Sequence, residues 1–563
     1  MTSLPGSART RRRRPVDLSV AAVLAVVIAC LFLTVGIPVG KLLGAALSPD
    51  GRSAIATSLT SQTTPLRNTI VLGVLVGTLG TAIGFLTAYA QVFLDFRGKR
   101  ALHWITLLPT VSPPFATATA LITLFGKRGI ITFHLLGADH NIYGLQGLTI
   151  VLAMTFAYLN IRGMFENMDP SHFEAAASLG ASPLQTLFKV TIPMTIPALL
   201  ASFLVLFVEG IADLANPLVL GGDYRVLASQ IYFAVAGSGD VASAAGIALV
   251  LLVPAISVFA VQKYWAGKKT VITVTGKPTG TVKPVTARAV KYPVLLLVGA
   301  WIVLVLACYT AILVGGFVKI LAVDNSWTMD HYQFVYRLGS DAVTKTLVMT
   351  LIATPIAALL ALLIAWLVVR HLPRTGRILD FVGMLGIAVP GTVLGLGFAL
   401  AYSGPTWFLG HRILPPLAGG LATGAGAVAI IMVYIARAIP TGQQACISAL
   451  KQINPQVEEA ATSLGASQIT TLRLITLPLL RSGVVTAMTY GITKSMTMIT
   501  AIIFITTPQT KVMTAQILDE VDAGRFGNAF AYCTVLIVLV LIVLALASLA
   551  INQLNRSMRT AQS

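Results

Sequence analysis

The sequence predicts an all-α polytopic membrane protein, in which twelve transmembrane helices form two tandem halves of six. Three observations predict this fold. Hydrophobic residues make up 56% of the chain and charged residues only 10%, with a mean hydropathy of +0.85, whereas soluble domains carry about a quarter charged residues. Twelve apolar stretches are long enough to cross a bilayer, and one short polar block occurs twice. The repeat indicates two halves with the same organisation.

Each predicted span is a stretch of about 20 mainly apolar residues, the length that crosses the hydrocarbon core as a helix. The first stretch follows basic residues, as in a signal peptide, but it is too long and too apolar for one and lacks a small-residue cleavage site. We therefore expect it to be retained. The predicted spans are 17–39, 67–92, 103–125, 148–165, 195–217, 241–262, 293–318, 341–369, 378–402, 419–437, 481–505 and 526–552.

Basic residues set the predicted orientation. They cluster before span one and after spans two, eight and twelve, which the positive-inside rule places in the cytoplasm together with both termini. The segment 263–291 carries seven basic and no acidic residues, which predicts a flexible cytoplasmic linker. The net charge of +19 therefore lies between spans and not on a nucleic-acid-binding face. The predicted units are a basic N-terminal tail (1–16), the first half (17–262), the linker (263–292), the second half (293–552) and a C-terminal tail (553–563).

Matching residues extend the duplication beyond the polar block. Pro113 aligns with Pro390 at an offset of 277 residues, whereas the polar block repeats at an offset of 285. Because Tyr158 still matches Tyr434, we expect an insertion of about nine residues between Tyr434 and Pro455 of the second half. Two like-oriented halves with even numbers of spans form a parallel pseudo-dimer about an axis along the membrane normal. The sequence therefore predicts a central path on that axis.

The repeated block runs from Glu174 to Pro183 and again from Glu459 to Gln468, with eight of ten residues identical. It falls between spans four and five of each half, on the predicted cytoplasmic side. A preceding Asp-Pro or Asn-Pro pair favours a helix start, and Gly180 and Gly465 allow a bend before a second short helix. We predict a bent finger that docks into a groove of a partner. An interfacial amphipathic helix without a partner is the alternative.

Both blocks resemble the EAA motif of the permease subunits of bacterial ATP-binding cassette importers: Glu-Ala-Ala, a glycine six residues after the Glu, and then an apolar-Pro pair. The resemblance covers essentially the whole chain. The fused six-plus-six form, with the segments Ala212 to Gly222 and Leu227 to Tyr232, is similar to the ferric iron and 2-aminoethylphosphonate branch of type I importers. In this family the finger is the coupling helix that enters a cleft of the ATPase. The resemblance implies ATPase contacts at Glu174, Ala175, Ala176, Gly180, Glu459, Ala460, Ala461 and Gly465.

The chain has no phosphate-binding loop of the type Gly-x-x-x-x-Gly-Lys-Ser/Thr. The most similar segment, Gly491 to Ser495, lacks the second glycine and lies in a predicted span. We therefore expect no ATP hydrolysis and no cofactor on this chain, with ATP and Mg²⁺ bound by the partner. No soluble segment is long enough for a solute-binding domain. The expected partners are two ATPase subunits, a separate extracytoplasmic solute-binding protein and the lipid bilayer, without nucleic acid.

Ionisable residues at mid-span depth are costly and indicate a functional site by default. Glu209 and Asp213 share one face of span five, and Lys494 is the counterpart of Glu209 at an offset of 285. The three predict a translocation path, and a static ion pair that fixes how the halves pack is the alternative. Pro113 and Pro390 interrupt spans three and nine at matched positions, which is typical either of that path or of simple kinks.

These features together predict a transport subunit, not an enzyme, in the bacterial cytoplasmic membrane, which imports substrate by alternating access. Ferric iron is the first expected substrate because a hard trivalent cation suits carboxylates, whereas 2-aminoethylphosphonate or another small solute would suit Lys494. The cysteines and histidines show no metal-ligand spacing. An ion-coupled secondary carrier would leave the twinned fingers unexplained, and a receptor without transport lacks any sensory appendage.

Overall fold

The computed structural model describes residues 18–154, 157–264, 287–372, 375–408, 410–420 and 422–562. The predicted N-terminal tail (1–16) and residues 265–286 of the predicted linker lie outside these residues. The first half is helical throughout its named elements. They are α1 (Leu18–Ala46), α2 (Pro49–Thr60), α3 (Thr64–Phe93), α4 (Lys99–Val111), α5 (Pro114–Phe125), α6 (Leu145–Ala153), α7 (Ala157–Glu166), α8 (Ser171–Ser178), α9 (Pro183–Ala212), α10 (Ala215–Leu220), α11 (Leu227–Ala236) and α12 (Val241–Tyr264).

The second half repeats this order and adds two short antiparallel hairpins, β1 with β2 and β3 with β4. Its elements are α13 (Arg288–Gly315), β1 (Val318–Ile320), β2 (Asp324–Trp327), α14 (Asp330–Arg337), α15 (Ser340–His371), α16 (Gly376–Ala388), α17 (Gly391–Tyr402), β3 (Thr406–Phe408), β4 (His411–Leu414), α18 (Ala427–Gln452), α19 (Pro455–Ser463), α20 (Gln468–Leu479), α21 (Arg481–Thr497), α22 (Met513–Asp522) and α23 (Phe526–Gln562).

Nine helices among the described residues are long and apolar enough to cross a membrane, and three further helix pairs are sharply bent. The count reaches twelve if each bent pair is one span. The predicted spans 103–125 and 378–402 are interrupted at the expected prolines, and the breaks are sharp: α4 and α5 meet at 107°, and α16 and α17 at 98°. Pro113 and Pro390 stand at these breaks, each in the extended conformation that precedes a new helix. A proline has no amide hydrogen to continue the helix, so the chain turns there.

Three predicted boundaries differ from the structure. The span predicted at 481–505 ends as a helix at Thr497, and α20 meets α21 at 75°. The span predicted to end at residue 437 continues as α18 to Gln452. The predicted C-terminal tail is helical, because α23 runs on to Gln562. In each case apolar composition located the membrane segment. The helices α18 and α23 extend beyond the apolar stretch, whereas α21 stops within it.

The two halves interlock through their first helices. α1 packs on α17 of the second half, and α13 packs on α3, α4 and α5 of the first half. Two buried hydrogen bonds join these surfaces: the hydroxyl of Tyr402 donates to the carbonyl of Leu33 (2.5 Å), and the hydroxyls of Ser112 and Tyr309 lie 2.6 Å apart. Ser112 lies at the first break, whereas Tyr402 lies at the end of α17 that is away from the second break. The packing therefore ties the first break, and the helix that follows the second break, to the opposite half.

The extra residues of the second half lie earlier than predicted. Both ends of α5 and α17 still match at the offset of 277. In the helix that follows the offset is already 285, because Gly84 lies against Ala157 while Ala361 lies against Gly442, the equivalent pair. The insertion therefore stands between α17 and α18, where β3 and β4 are, and its predicted place after Tyr434 is wrong. The eight extra residues, if within α18, would lengthen it by about 12 Å and displace the following finger, whereas a loop absorbs them at little cost.

A buried carboxylate organises the segment between α21 and α23. Glu520 of α22 is fully buried. Its oxygens accept hydrogen bonds from Gln516 (2.8 Å), Asn528 (3.0 Å) and Arg525 (2.6 and 3.1 Å). The amide oxygen of Asn528 lies 2.8 Å from Nδ1 of His331 in α14. Burial opposes the charge of Glu520, but these hydrogen bonds outweigh it and lower the pKa of the carboxyl group. The network joins α14, α22 and α23.

Glu520→Gln should lower the free energy of unfolding of the detergent-solubilised protein by about 1 to 3 kcal/mol, the range for hydrogen bonds to a charged group. Because the folded-state pKa lies below the ordinary value of 4.5, the stabilisation is present above pH 4.5 and is lost as the pH falls through the folded-state pKa. Thermal unfolding measured between pH 7 and pH 3 checks this. The wild type should lose stability over this range more steeply than Glu520→Gln, and parallel pH profiles would contradict the assignment.

Candidate functional site

The first repeated block forms a helix, a bend and a second helix, the geometry expected from its sequence. The helix α8 begins after Pro170, and the carboxylate of Asp169 accepts a hydrogen bond from the amide of Ser171 (2.9 Å). It ends at Gly180, whose φ of +76° is left-handed. The next turn starts at Ser182, which exchanges hydrogen bonds with Gln185 in a capping box. We name residues 171–186 the first finger.

The second block repeats this geometry with other capping residues. Asn454 caps α19 by accepting a hydrogen bond from the amide of Gln456 (3.0 Å). The helix ends at Gly465, with a φ of +89°, and Ser467 caps the turn that follows. We name residues 455–471 the second finger. In both fingers the amide after the glycine bonds the carbonyl five residues earlier, the pattern of a glycine-terminated helix.

The tips of both fingers carry an uncovered apolar side chain. Leu179 is 87% exposed and its counterpart Leu464 is 89% exposed. The residues implied as ATPase contacts are also mainly at the surface. Glu174, Ala175 and Gly180 are exposed, as are Glu459, Ala460 and Gly465, whereas Ala176 is buried and Ala461 is partly buried. Two equivalent, fully exposed leucines on polar elements are typical of a binding surface.

The predicted path residues converge on one cavity of about 150 Å³. Glu209 and Asp213, at the end of α9, line it together with Lys494 of α21. The cavity lies between the two breaks. Pro113 and Pro390 are not on its wall, but Ser112 and Pro114 are, and Gly391 packs against Thr500 of the wall. Hydroxyl groups supply much of the remaining polar lining: Thr110, Ser112, Thr117, Thr497 and Thr500.

The charged groups of the cavity differ in their surroundings. Glu209 is exposed, whereas Asp213 and Lys494 are partly buried. Asp213 accepts two hydrogen bonds from Asn216, one from its backbone amide and one from its side chain (both 2.9 Å), and so starts α10. The ammonium group of Lys494 lies 5.8 Å from the ring centre of Tyr490. Glu209 is within electrostatic range of both Asp213 and Lys494. Asp213 therefore has a structural role besides its place on the wall.

Sequence reasoning missed a second cation, Arg437 of α18. Its guanidinium Nη1 donates hydrogen bonds to the carbonyls of Gly386 (3.0 Å) and Val389 (3.1 Å) at the end of α16. It is also within electrostatic range of Glu209 and Lys494. These carbonyls lose their helical partners at the break. A cation at this helix C-terminus also interacts favourably with the helix dipole. Because span ten was predicted to end at residue 437, Arg437 was not singled out among the ionisable residues at mid-span depth.

The described residues contain no group of three or more His, Cys, Asp or Glu side chains that could hold a metal ion. The four cysteines are unpaired. The cavity wall instead carries two carboxylates and one basic side chain, Lys494, with hydroxyl groups around them, and Arg437 lies off the wall but within electrostatic range of Glu209 and Lys494. The polar groups of such a wall can replace the water around a charged solute and let it pass.

The chain matches the family of the binding-protein-dependent transport system inner membrane component twice, over residues 80–271 and 337–560. Each match contains one finger and the helix pair that is broken at Pro113 or at Pro390. Between them the two matches cover most of the chain. The repeat seen in the sequence is therefore a repeat of the whole family domain.

Individual relatives agree with the family match. The chain is 34% identical to the ferric transport system permease protein FbpB of Actinobacillus pleuropneumoniae, over 84% of this chain and 69% of the relative. It is 33% identical to the putative ferric transport system permease protein FbpB 1 of Haemophilus influenzae, over 79% and 71%. A homolog of the spermidine/putrescine permease PotC from Mycoplasma genitalium is 27% identical over 39% of this chain. This chain is a fused, two-domain member of the inner-membrane permease family of binding-protein-dependent transport systems.

Proposed function

We propose that the chain is the transmembrane permease of an ATP-driven importer, and that its two fingers dock into separate ATPase subunits. One observation carries this proposal: the fingers repeat the same bend and the same fully exposed leucine, Leu179 or Leu464, on otherwise polar elements. Covering an exposed leucine with a partner removes its apolar surface from water, which stabilises the complex. A secondary carrier, which works without an ATPase, gives no reason for two such surfaces.

The proposed assembly follows from the duplication. Each half contributes six spans, with every bent pair counted as one crossing, and each finger engages one of two ATPase copies on the cytoplasmic side. Both termini and the linker lie on that same side. A separate solute-binding protein delivers substrate to the opposite face. The basic segments between spans support this orientation.

The proposed transport cycle is alternating access around the charged cavity. Closure of two ATP-bound ATPase subunits draws the fingers together and opens the cavity outward, and hydrolysis reverses the movement. The breaks at Pro113 and Pro390 are the natural hinges because no helical hydrogen bonds cross them. The first break contacts the opposite half through Ser112, and the helix that follows the second break does so through Tyr402. A movement of one half therefore displaces a broken helix pair of the other.

We propose ferric iron as the substrate, since the two most similar relatives named above are ferric transport permeases. Carboxylates such as Glu209 and Asp213 suit a hard cation. An anionic 2-aminoethylphosphonate would instead use Lys494 and Arg437. Uptake of radioactive iron into vesicles that contain the chain, its ATPase and the binding protein tests the choice. Iron uptake that excess phosphonate leaves unchanged supports ferric iron, and phosphonate uptake without iron uptake contradicts it.

The purified chain should hydrolyse no ATP, because it contains no phosphate-binding loop. With its partner ATPase, hydrolysis should appear and should rise further when loaded binding protein is added. Leu179→Ser and Leu464→Ser should each weaken copurification of the ATPase, whereas Leu338→Ser, an exposed leucine after α14, should not. Hydrolysis by the isolated chain that survives repurification, or full copurification with both finger variants, would overturn the proposal.

A further inference from the structure

The two fingers are attached to the membrane helices by different chemistry at equivalent positions. In the second finger, Glu458 forms an ion pair with Arg370 at the end of α15, with 2.8 Å between Oε2 and Nε. Both side chains are nearly buried, at 14% and 12% exposure. The other carboxylate oxygen accepts a hydrogen bond from the hydroxyl of Thr476 in α20 (2.8 Å). One buried pair therefore joins the second finger to α15 and α20.

Arg370 also holds the end of α18. Its Nη2 donates hydrogen bonds to the carbonyls of Leu450 (3.2 Å) and Ile453 (3.0 Å), in the last turn of that helix and just after it. The carbonyl of Leu450 also accepts a hydrogen bond from the amide of Ile453 (3.2 Å), and a cation at a helix C-terminus is favourable. Arg370 therefore links the second finger directly to the helix that carries Arg437.

The first half has aromatic rings at the same three positions. Phe93 corresponds to Arg370 at the offset of 277, and Phe165 and Phe173 correspond to Leu450 and Glu458 at the offset of 285. The ring centre of Phe93 lies 4.9 Å from that of Phe165 and 5.3 Å from that of Phe173. Apolar rings in edge-to-face and tilted contact exclude water but set no hydrogen-bonding direction. The first finger is thus held by packing and the second by charge.

α18 connects the ion pair to the cavity. Arg437 and Leu450 are thirteen residues apart on this helix, a distance of about 20 Å at 1.5 Å per residue. The C-terminal end of α18 is held by Arg370, and its middle reaches the broken helix through the contacts of Arg437 with Gly386 and Val389. In the first half, Leu152 stands at the position of Arg437 at the offset of 285. Polar contact between α7 and the broken helix of the first half runs instead through Arg162, whose Nη1 lies 2.8 Å from Nδ1 of His103 in α4.

We propose that Arg370 and Glu458 are positioning residues that transmit movement of the second finger along α18 to Arg437 and the cavity. The two ATPase-facing routes are then unequal: the second is a chain of directional polar contacts, and the first is a packed aromatic contact. This inference rests on the proposed function, since it needs an ATPase at the fingers. It predicts that charge removal in the second half uncouples ATP hydrolysis from transport.

The test uses the full chain with its ATPase and binding protein in vesicles. Glu458→Gln keeps the size of the side chain and an oxygen for Thr476 but removes the charge. We expect normal membrane levels and ATPase binding, with at least a threefold rise in ATP hydrolysed per substrate transported. Lys451→Gln, which removes an exposed charge beside Leu450, is the matched control and should leave this ratio unchanged. A wild-type ratio in Glu458→Gln would overturn the inference.

A transplant of the first-half contact gives a second, independent measurement. Arg370→Phe alone leaves the carboxylate of Glu458 nearly buried without its cation, so uptake should fall at least tenfold. The double variant R370F/E458F recreates the rings of Phe93 and Phe173 and should recover uptake to within about threefold of wild type. A double variant no better than R370F would contradict the equivalence of the two anchors.

Nucleotide-dependent labelling shows whether the movement reaches the cavity. Thr497→Cys places a thiol on the cavity wall, and its labelling rate should change when ATP binds to the complex. Glu458→Gln should remove most of this change, and a change of wild-type size would count against transmission along α18. If the wild-type chain binds no ATPase at all, the proposed function fails. If it binds and couples but Glu458→Gln has no effect, only the present inference fails.

Discussion

Gly180→Val or Gly465→Val should reduce substrate uptake by about five- to thirtyfold. Both glycines have positive φ, +76° and +89°, and a residue with a side chain in that conformation costs about 1 to 2 kcal/mol, more when it is β-branched. A penalty of that size removes the bent finger from most molecules, because 1.4 kcal/mol is a factor of about ten. The measurement is uptake in vesicles together with recovery of the ATPase on the tagged chain.

Two features make this experiment specific for the backbone. A Cβ atom at Gly180 or Gly465 would have no heavy atom within 4 Å, so the substitution creates no steric clash. Asparagine tolerates the left-handed conformation, so Gly180→Asn and Gly465→Asn are matched controls that should keep most uptake. Valine variants that transport and copurify like the wild type would show that the bend is not needed for coupling.

Lys494→Ala should impair uptake by about tenfold, and more than the double change E209A/K494A. Alanine at 494 leaves the carboxylate of Glu209 without an opposing charge from α21, and breaking a pair costs more than deleting it. The expected loss of about 1.4 kcal/mol is below the 3 to 5 kcal/mol of fully buried pairs, because Glu209 is exposed to the cavity. Arg437 also offers it a neighbouring charge.

A double-mutant cycle on uptake, corrected for membrane level, measures this coupling. Non-additive losses, with the double variant nearer to the wild type than Lys494→Ala, would support interaction across the cavity. Additive losses would reject direct pairing. Full activity in all three variants would assign both residues to packing of the two halves, the alternative that the sequence leaves open.

Local geometry was predictable where the determinants are close in the sequence. The fingers follow from a capping residue, a proline and a glycine within about a dozen positions, and the structure has that bend in both copies. The breaks were located by Pro113 and Pro390, but their angles of 107° and 98° depend on the helices that pack around them. A missing amide hydrogen predicts where a helix stops, not where the chain goes next.

Two errors had different causes. Apolar composition ended span ten at residue 437, so Arg437 was not considered at mid-span depth, although α18 continues to Gln452. The insertion was placed after Tyr434 on a single matched tyrosine, whereas the packing of Gly84 on Ala157 and of Ala361 on Gly442 sets the true alignment. Contacts between helices distant in sequence decide both questions.

The sequence by itself determined that the chain is a membrane protein, that it is duplicated, and that it carries two bent fingers, because composition, repetition and capping are properties of the chain alone. It also assigned Glu209, Asp213 and Lys494 to one path through the symmetry of the halves. Only the tertiary structure decided that Arg437 joins them, that the first helix of each half packs on the other half, and that the fingers are anchored by rings in one case and charges in the other. These features bring together residues of separate helices, and their partners depend on how the helices pack.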